Sequence, residues 1–77
     1  MEKMIGHIKM ALQNSPRQDW TAELHLQIIK HAEKVQAMTG KEFCKMLDIP
    51  VSYGTEFAKM RKIAKRLVAA GLDVTKI

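Results

Sequence analysis

Two helix-forming runs lie between Thr39 and Gly71, separated by only a few residues around Pro50, and this arrangement leaves the chain few ways to bury both. Thr39-Gly40-Lys41-Glu42 is a start signal. The threonine hydroxyl is placed to accept from the free amide near Glu42 while the Glu42 carboxylate returns to the amide of Thr39. Phe43, Met46 and Leu47 then recur at the spacing of one helix side, and Asp48-Ile49-Pro50 ends the run, because the residue before a proline is pushed out of helical geometry. Ser52 is the expected cap of the next helix. That helix runs without proline, or glycine after Gly54, as far as Gly71, a residue type that takes the left-handed conformation beyond a helix end.

At about 100° per residue the second run divides into two faces. Tyr53, Phe57, Met60, Ile63, Ala64, Leu67 and Val68 share one arc and are expected to pack inward. Thr55, Lys59, Lys62 and Arg66 form a stripe opposite, flanked by Arg61 and Lys65. Glu56 lies toward the helix start, where a carboxylate favours the helix dipole. The net charge of +5 follows the same division: residues 1–38 carry +1, residues 39–52 carry 0 and residues 53–77 carry +4. A solvated face usually intersperses both signs for salt-bridge support. Here acids are missing from the stripe, which makes phosphate the expected partner.

The remaining sequence supplies a scaffold. Met1, Ile5, Ile8 and Leu12, widened by Met4 and Ala11, predict a helix over 2–13. Gly6 weakens that helix by about 1 kcal/mol relative to alanine, a cost usually tolerated where packing needs close approach. Asn14 to Asp19 is a cluster of turn formers and reads as a loop. A second helix is expected over 20–37, capped by Asp19 or Thr21, with Leu24, Ile28, Ala32 and Val35 as its inner seam and Trp20 as a core anchor at its entrance. Further helices are expected over 40–48 and 52–70. Leu72, Val74 and Ile77 are placed to fold back over the core. The expected fold is therefore all-α, a compact single-domain bundle of about four helices with a short C-terminal tail.

Several function classes are disfavoured. Cys44 is the lone cysteine, which leaves no internal disulfide and no thiolate cluster for zinc; it reads as a small packed thiol. His7, His25 and His31 are dispersed, and the two on the second helix lie about 240° apart, too far around to chelate one ion as a local pair. No nucleophile-base pairing or phosphate-loop motif is present, so no catalytic residues, metal or cofactor are expected and an enzyme is disfavoured. With no run of about 18 apolar residues and no secretory signal pattern, the expectation is a cytoplasmic protein without membrane contact.

The stripe points instead to duplex DNA. The major groove is about 12 Å wide and admits a helix presenting its first turns to base edges. Ser52, Tyr53, Thr55 and Lys59 occupy those turns and are the expected base contacts; Lys41, Arg61, Lys62, Lys65 and Arg66 are the expected phosphate contacts. The function expected is sequence-specific double-stranded DNA binding by a transcriptional regulator that uses the helix 52–70 in the major groove. A single unit of this size reads few base pairs, so a homodimer is expected, with the methionine-rich first helix as candidate interface. The alternative is a small helical interaction module that binds an acidic protein partner through the same basic face.

Thr21-Ala22-Glu23-Leu24-His25-Leu26, Thr39-Gly40-Lys41-Glu42-Phe43 and Pro50-Val51-Ser52-Tyr53-Gly54-Thr55-Glu56 together resemble a family of small bacterial and phage helix-turn-helix-like proteins, over roughly residues 20–77. The resemblance implies a DNA-binding fold without an established reaction. Two residues depart from the general pattern: Asp48 stands where glycine usually begins the turn, and Gly54 stands where an apolar residue is common. These departures predict a turn about one residue longer than standard.

Overall fold

The computed structural model describes residues 2–77 and is an all-α bundle. Its helices are α1 (Glu2–Asn14), α2 (Trp20–Lys30), α3 (Gly40–Leu47) and α4 (Gly54–Ala69), with short 3-10 turns at Arg17–Asp19, Val51–Tyr53 and Val74–Lys76. Among the described residues there is no strand. Met4, Ile5, Ile8 and Leu12 of α1 meet Leu24 and Ile28 of α2, Val35 of the segment after α2, Phe43 and Leu47 of α3, and Phe57 of α4 in one core. The Phe43 and Phe57 rings stack at its centre, 4.4 Å apart and 29° from parallel. Met1, expected in the α1 stripe, lies outside the described residues. Gly6 has open space where a Cβ would stand, so no close approach explains it.

Helix α2 ends seven residues before its expected limit. The apolar period continues through buried Ala32 and Val35, but residues 31–37 form successive turns, with Lys34 N–H donating to His31 O at 2.9 Å and Met38 N–H to Val35 O at 3.1 Å. Carbonyls released from a helical ladder need other donors. Arg61 of α4 supplies one: its Nη1 lies 3.1, 3.2 and 2.7 Å from the oxygens of Val35, Gln36 and Met38. A contact made from 23 or more residues away thus satisfies the segment that leaves the helix. The start of α2 also differs, since Trp20 opens it and Asp19 makes no side-chain cap bond.

Helix α3 begins with the reciprocal cap expected of its sequence. Glu42 N–H donates to Thr39 Oγ1 at 3.1 Å, and Thr39 N–H donates to Glu42 Oε1 at 3.0 Å. Phe43, Cys44 and Leu47 form its buried side, whereas Met46, expected inward, is exposed. Asp48 closes the helix in the left-handed region (φ 59°, ψ 46°), doing with a short polar side chain what glycine usually does there. The amide of Ile49 then returns to the carbonyl of Cys44 at 3.0 Å.

Gly54 lies directly against the start of α3. A Cβ on Gly40 would stand 2.8 Å from both the Cα and the carbonyl oxygen of Gly54, so the backbones that open α3 and α4 are in direct contact. A Cβ on Gly54 would itself stand 3.4 Å from the Gly40 carbonyl carbon, an ordinary contact, so the close approach requires glycine at 40 rather than at 54. Ser52 does not cap α4; it lies inside the 3-10 turn, and Tyr53 holds the cap position without a side-chain bond. The α-helix therefore starts two residues later than expected.

At its other end α4 closes on Gly71, whose φ of 111° suits glycine, with Gly71 N–H to Val68 O and Leu72 N–H to Leu67 O both at 3.0 Å. The tail folds back as expected of its apolar residues, in a 3-10 turn: Leu72, Val74 and Ile77 are half-buried, and Lys30 Nζ donates to the Ile77 carbonyl at 2.8 Å. Ile63, Leu67 and Val68, expected to pack inward, instead remain 45, 37 and 46 % exposed. Phe57 and Ala64 are the residues that bury the inner face of α4, with Tyr53 and Met60 half-buried beside them.

Candidate nucleic-acid interface

Helix α4 is held from both sides, and this fixes which of its faces is free. Phe57 anchors it in the core. Arg61, one turn on, lies with its guanidinium carbon 4.7 Å from the centroid of the Phe57 ring while its Nη1 meets the three carbonyls after α2. Near the helix start, Glu56 Oε2 lies 3.1 Å from Nε2 of His25 on α2, a half-buried pair bridging the two elements. These contacts engage Glu56 and Arg61 with the rest of the fold.

The opposite face is open and cationic. Thr55, Ala58, Lys59, Lys62, Lys65 and Arg66 are exposed, and among the described residues none of the four cations is paired with a carboxylate. Gln36, Ala58, Lys59, Arg61, Lys62 and Lys65 line a shallow groove of about 360 Å³ between α4 and the turns after α2. Positive side chains left without acidic neighbours raise the local potential and favour a polyanion.

The expected base contacts divide into two groups. Ser52, Thr55 and Lys59 are exposed at the leading end of the α4 face. Tyr53 is half-buried and turned to Trp20, the ring centroids being 5.2 Å apart and the planes 60° apart. Its place in the apolar arc agrees with that contact better than with base reading. Among the expected phosphate contacts, Lys62, Lys65 and Arg66 lie together on α4, and Lys41 is exposed in the first turn of α3. Arg61 differs from them, since its donors face the carbonyls of Val35, Gln36 and Met38.

One exposed residue escaped the sequence reading. Val51, in the 3-10 turn that leads into α4, is 56 % exposed. The signal was the alternation after the turn: Ile49 and Tyr53 pack against the core and Val51 between them does not.

Cys44 is fully buried on α3, and burial pushes its thiol above the ordinary cysteine range, which disfavours the reactive thiolate. No helix among the described residues is long and apolar enough to cross a membrane.

No curated protein and no solved structure matches the chain. Residues 1–70 match the HTH-like domain family, and with the paired helices α3 and α4, the left-handed Asp48 between them and nine-tenths of its length inside that match, the chain belongs to this family.

Proposed function

We propose that this protein binds double-stranded DNA sequence-specifically, as a transcriptional regulator, with the leading end of α4 in the major groove. The observation that carries this reading is the unpaired cationic face of α4 in a helix-turn-helix-like domain. At 1.5 Å per residue the 16 residues of α4 span about 24 Å, twice the width of the groove, so one end reads bases while the other lies over backbone. Ser52, Thr55 and Lys59 are the base contacts in this reading. Lys62, Lys65 and Arg66 clamp phosphates, with Lys41 reaching the backbone from α3.

A homodimer belongs to the same proposal, because one unit covers few base pairs and paired half-sites supply the missing specificity. Two exposed apolar surfaces could supply the contact between copies: Met10 on α1, although Met4 of that helix is buried, and Ile63, Leu67 and Val68 on the flank of α4.

Selection from random duplexes tests the proposal. The expected result is an enriched sequence, with Thr55→Ala and Lys59→Ala altering which sequence is enriched, and Lys62→Ala and Arg66→Ala weakening all duplexes alike. Equal effects of the two pairs would overturn the division of roles. Recovery of an acidic protein that duplex DNA fails to compete away would favour the interaction-module reading instead.

A further inference from the structure

We infer that Val51 reads the C5-methyl group of a thymine, a role that rests on the proposed duplex binding and names part of what the bound sequence must contain. The argument starts from the backbone. Pro50 (φ −56°, ψ 138°) leads into the 3-10 turn, and Tyr53 (φ −73°, ψ −4°) and Gly54 (φ −58°, ψ −30°) are both right-handed helical, so the turn runs into α4 without a break. Carried back through it, the spacing Val51, Thr55, Ala58, Lys62 is one helical stripe, and all four residues are exposed. The stripe begins with an apolar group, continues with a hydroxyl and a small side chain, and ends on a cation.

The Val51 isopropyl group takes no part in the core and stands at the leading end of the cationic face. Its neighbours Ile49 and Tyr53 both pack against the core, while Val51 keeps 56 % of its surface. The flanking surface argues against a second copy at this spot, because Ser52 beside it and Thr55, Lys59 and Lys62 further along the same side are polar or cationic rather than apolar. In a duplex the major groove presents one apolar group, the thymine methyl. Valine suits it well: branching at Cβ restricts χ1, so little side-chain freedom is lost on contact. The close contact of the Gly40 and Gly54 backbones ties the turn that carries Val51 to the frame of α3.

The test uses the full chain and the duplex it selects. Each thymine of that duplex is replaced in turn by deoxyuridine, which removes the C5-methyl and leaves the hydrogen-bonding groups of the base unchanged. For the wild-type chain, one replacement is expected to weaken binding about fourfold, the effect of exposing one apolar carbon. Val51→Ala is expected to weaken binding to the thymine duplex by a similar factor and to be indifferent to the same replacement. Because Val51 is exposed, the helical circular dichroism and melting temperature of V51A should match those of the wild type. Wild-type binding insensitive to every deoxyuridine replacement overturns this inference alone, as does a V51A chain with the same methyl dependence as the wild type. A wild-type chain that selects no duplex overturns the inference together with the DNA reading beneath it.

Discussion

His31 is a residue whose chemistry burial has changed. It retains 8 % of its surface, and Nε2 has no hydrogen-bond partner. Withdrawal from water disfavours the charged ring, and Lys34, Lys30 and then His7 add positive potential, so its pKa lies below the ordinary value near 6.5. Between the folded and unfolded values the unfolded chain binds more protons. The stability contributed by neutral His31 is therefore complete above about pH 6.5 and is lost as pH falls below it toward the folded value. Thermal unfolding should show a melting temperature that declines as pH falls below about 6.5, and His31→Gln should flatten that decline whatever it does to stability at pH 8. Parallel slopes for the two chains would mean that other groups set the pH response.

At the level of elements, the joint between α3 and α4 depends on two glycines with unequal tolerance. The Cβ of an alanine at position 40 would stand 2.8 Å from Gly54 Cα, a clash with backbone that has to be relieved by moving a helix. Gly40→Ala is expected to destabilise the fold by about 1–3 kcal/mol, the range for overpacking a close contact. At position 54 the nearest atom of Gly40 would be 3.4 Å away, an ordinary contact, and alanine there also favours helix over glycine by up to about 1 kcal/mol. Gly54→Ala should be neutral or slightly stabilising in urea unfolding; equal destabilisation by both substitutions would refute the contact asymmetry. This joint shows what was readable in advance. The Thr39 and Glu42 cap, the break at Pro50 and the stop at Gly71 are local signals, settled by residues within a few positions, and they placed α3 and the end of α4. The end of α2 was not readable, because the carbonyls of Val35, Gln36 and Met38 are satisfied by Arg61, and no period in residues 20–37 encodes a distant guanidinium. The same contact hid the fate of Arg61 on the candidate surface. Ile63, Leu67 and Val68 followed the apolar period but extend past the elements that could cover them.

For the molecule as a whole, the charge that matters is the part left unpaired on the surface. A net charge of +5 counts Arg61 equally with Lys62, yet one faces three carbonyls and the other faces solvent. Binding of a polyanion separates them, because each phosphate neutralised releases condensed counterions and adds about 0.9 to the slope of log K against log salt. If Lys41, Lys62, Lys65 and Arg66 each meet one phosphate, the slope is about −3 to −4 per protomer, and affinity falls steeply between about 50 and 200 mM salt. Lys62→Ala should reduce the slope by about one unit and leave the melting temperature close to that of the wild type. Arg61→Ala should do the reverse: it removes the guanidinium donor from the Gln36 and Met38 carbonyls and the cation over Phe57, at a cost of about 2 kcal/mol, while the slope measured below the melting temperature stays unchanged. Paired titrations of the two variants across salt, each with its melting curve, measure both quantities. A slope lowered by Arg61→Ala as much as by Lys62→Ala would show that the Arg61 guanidinium leaves its carbonyls for phosphate when DNA arrives, and the face of α4 would then gain a fourth clamp at the expense of the segment after α2.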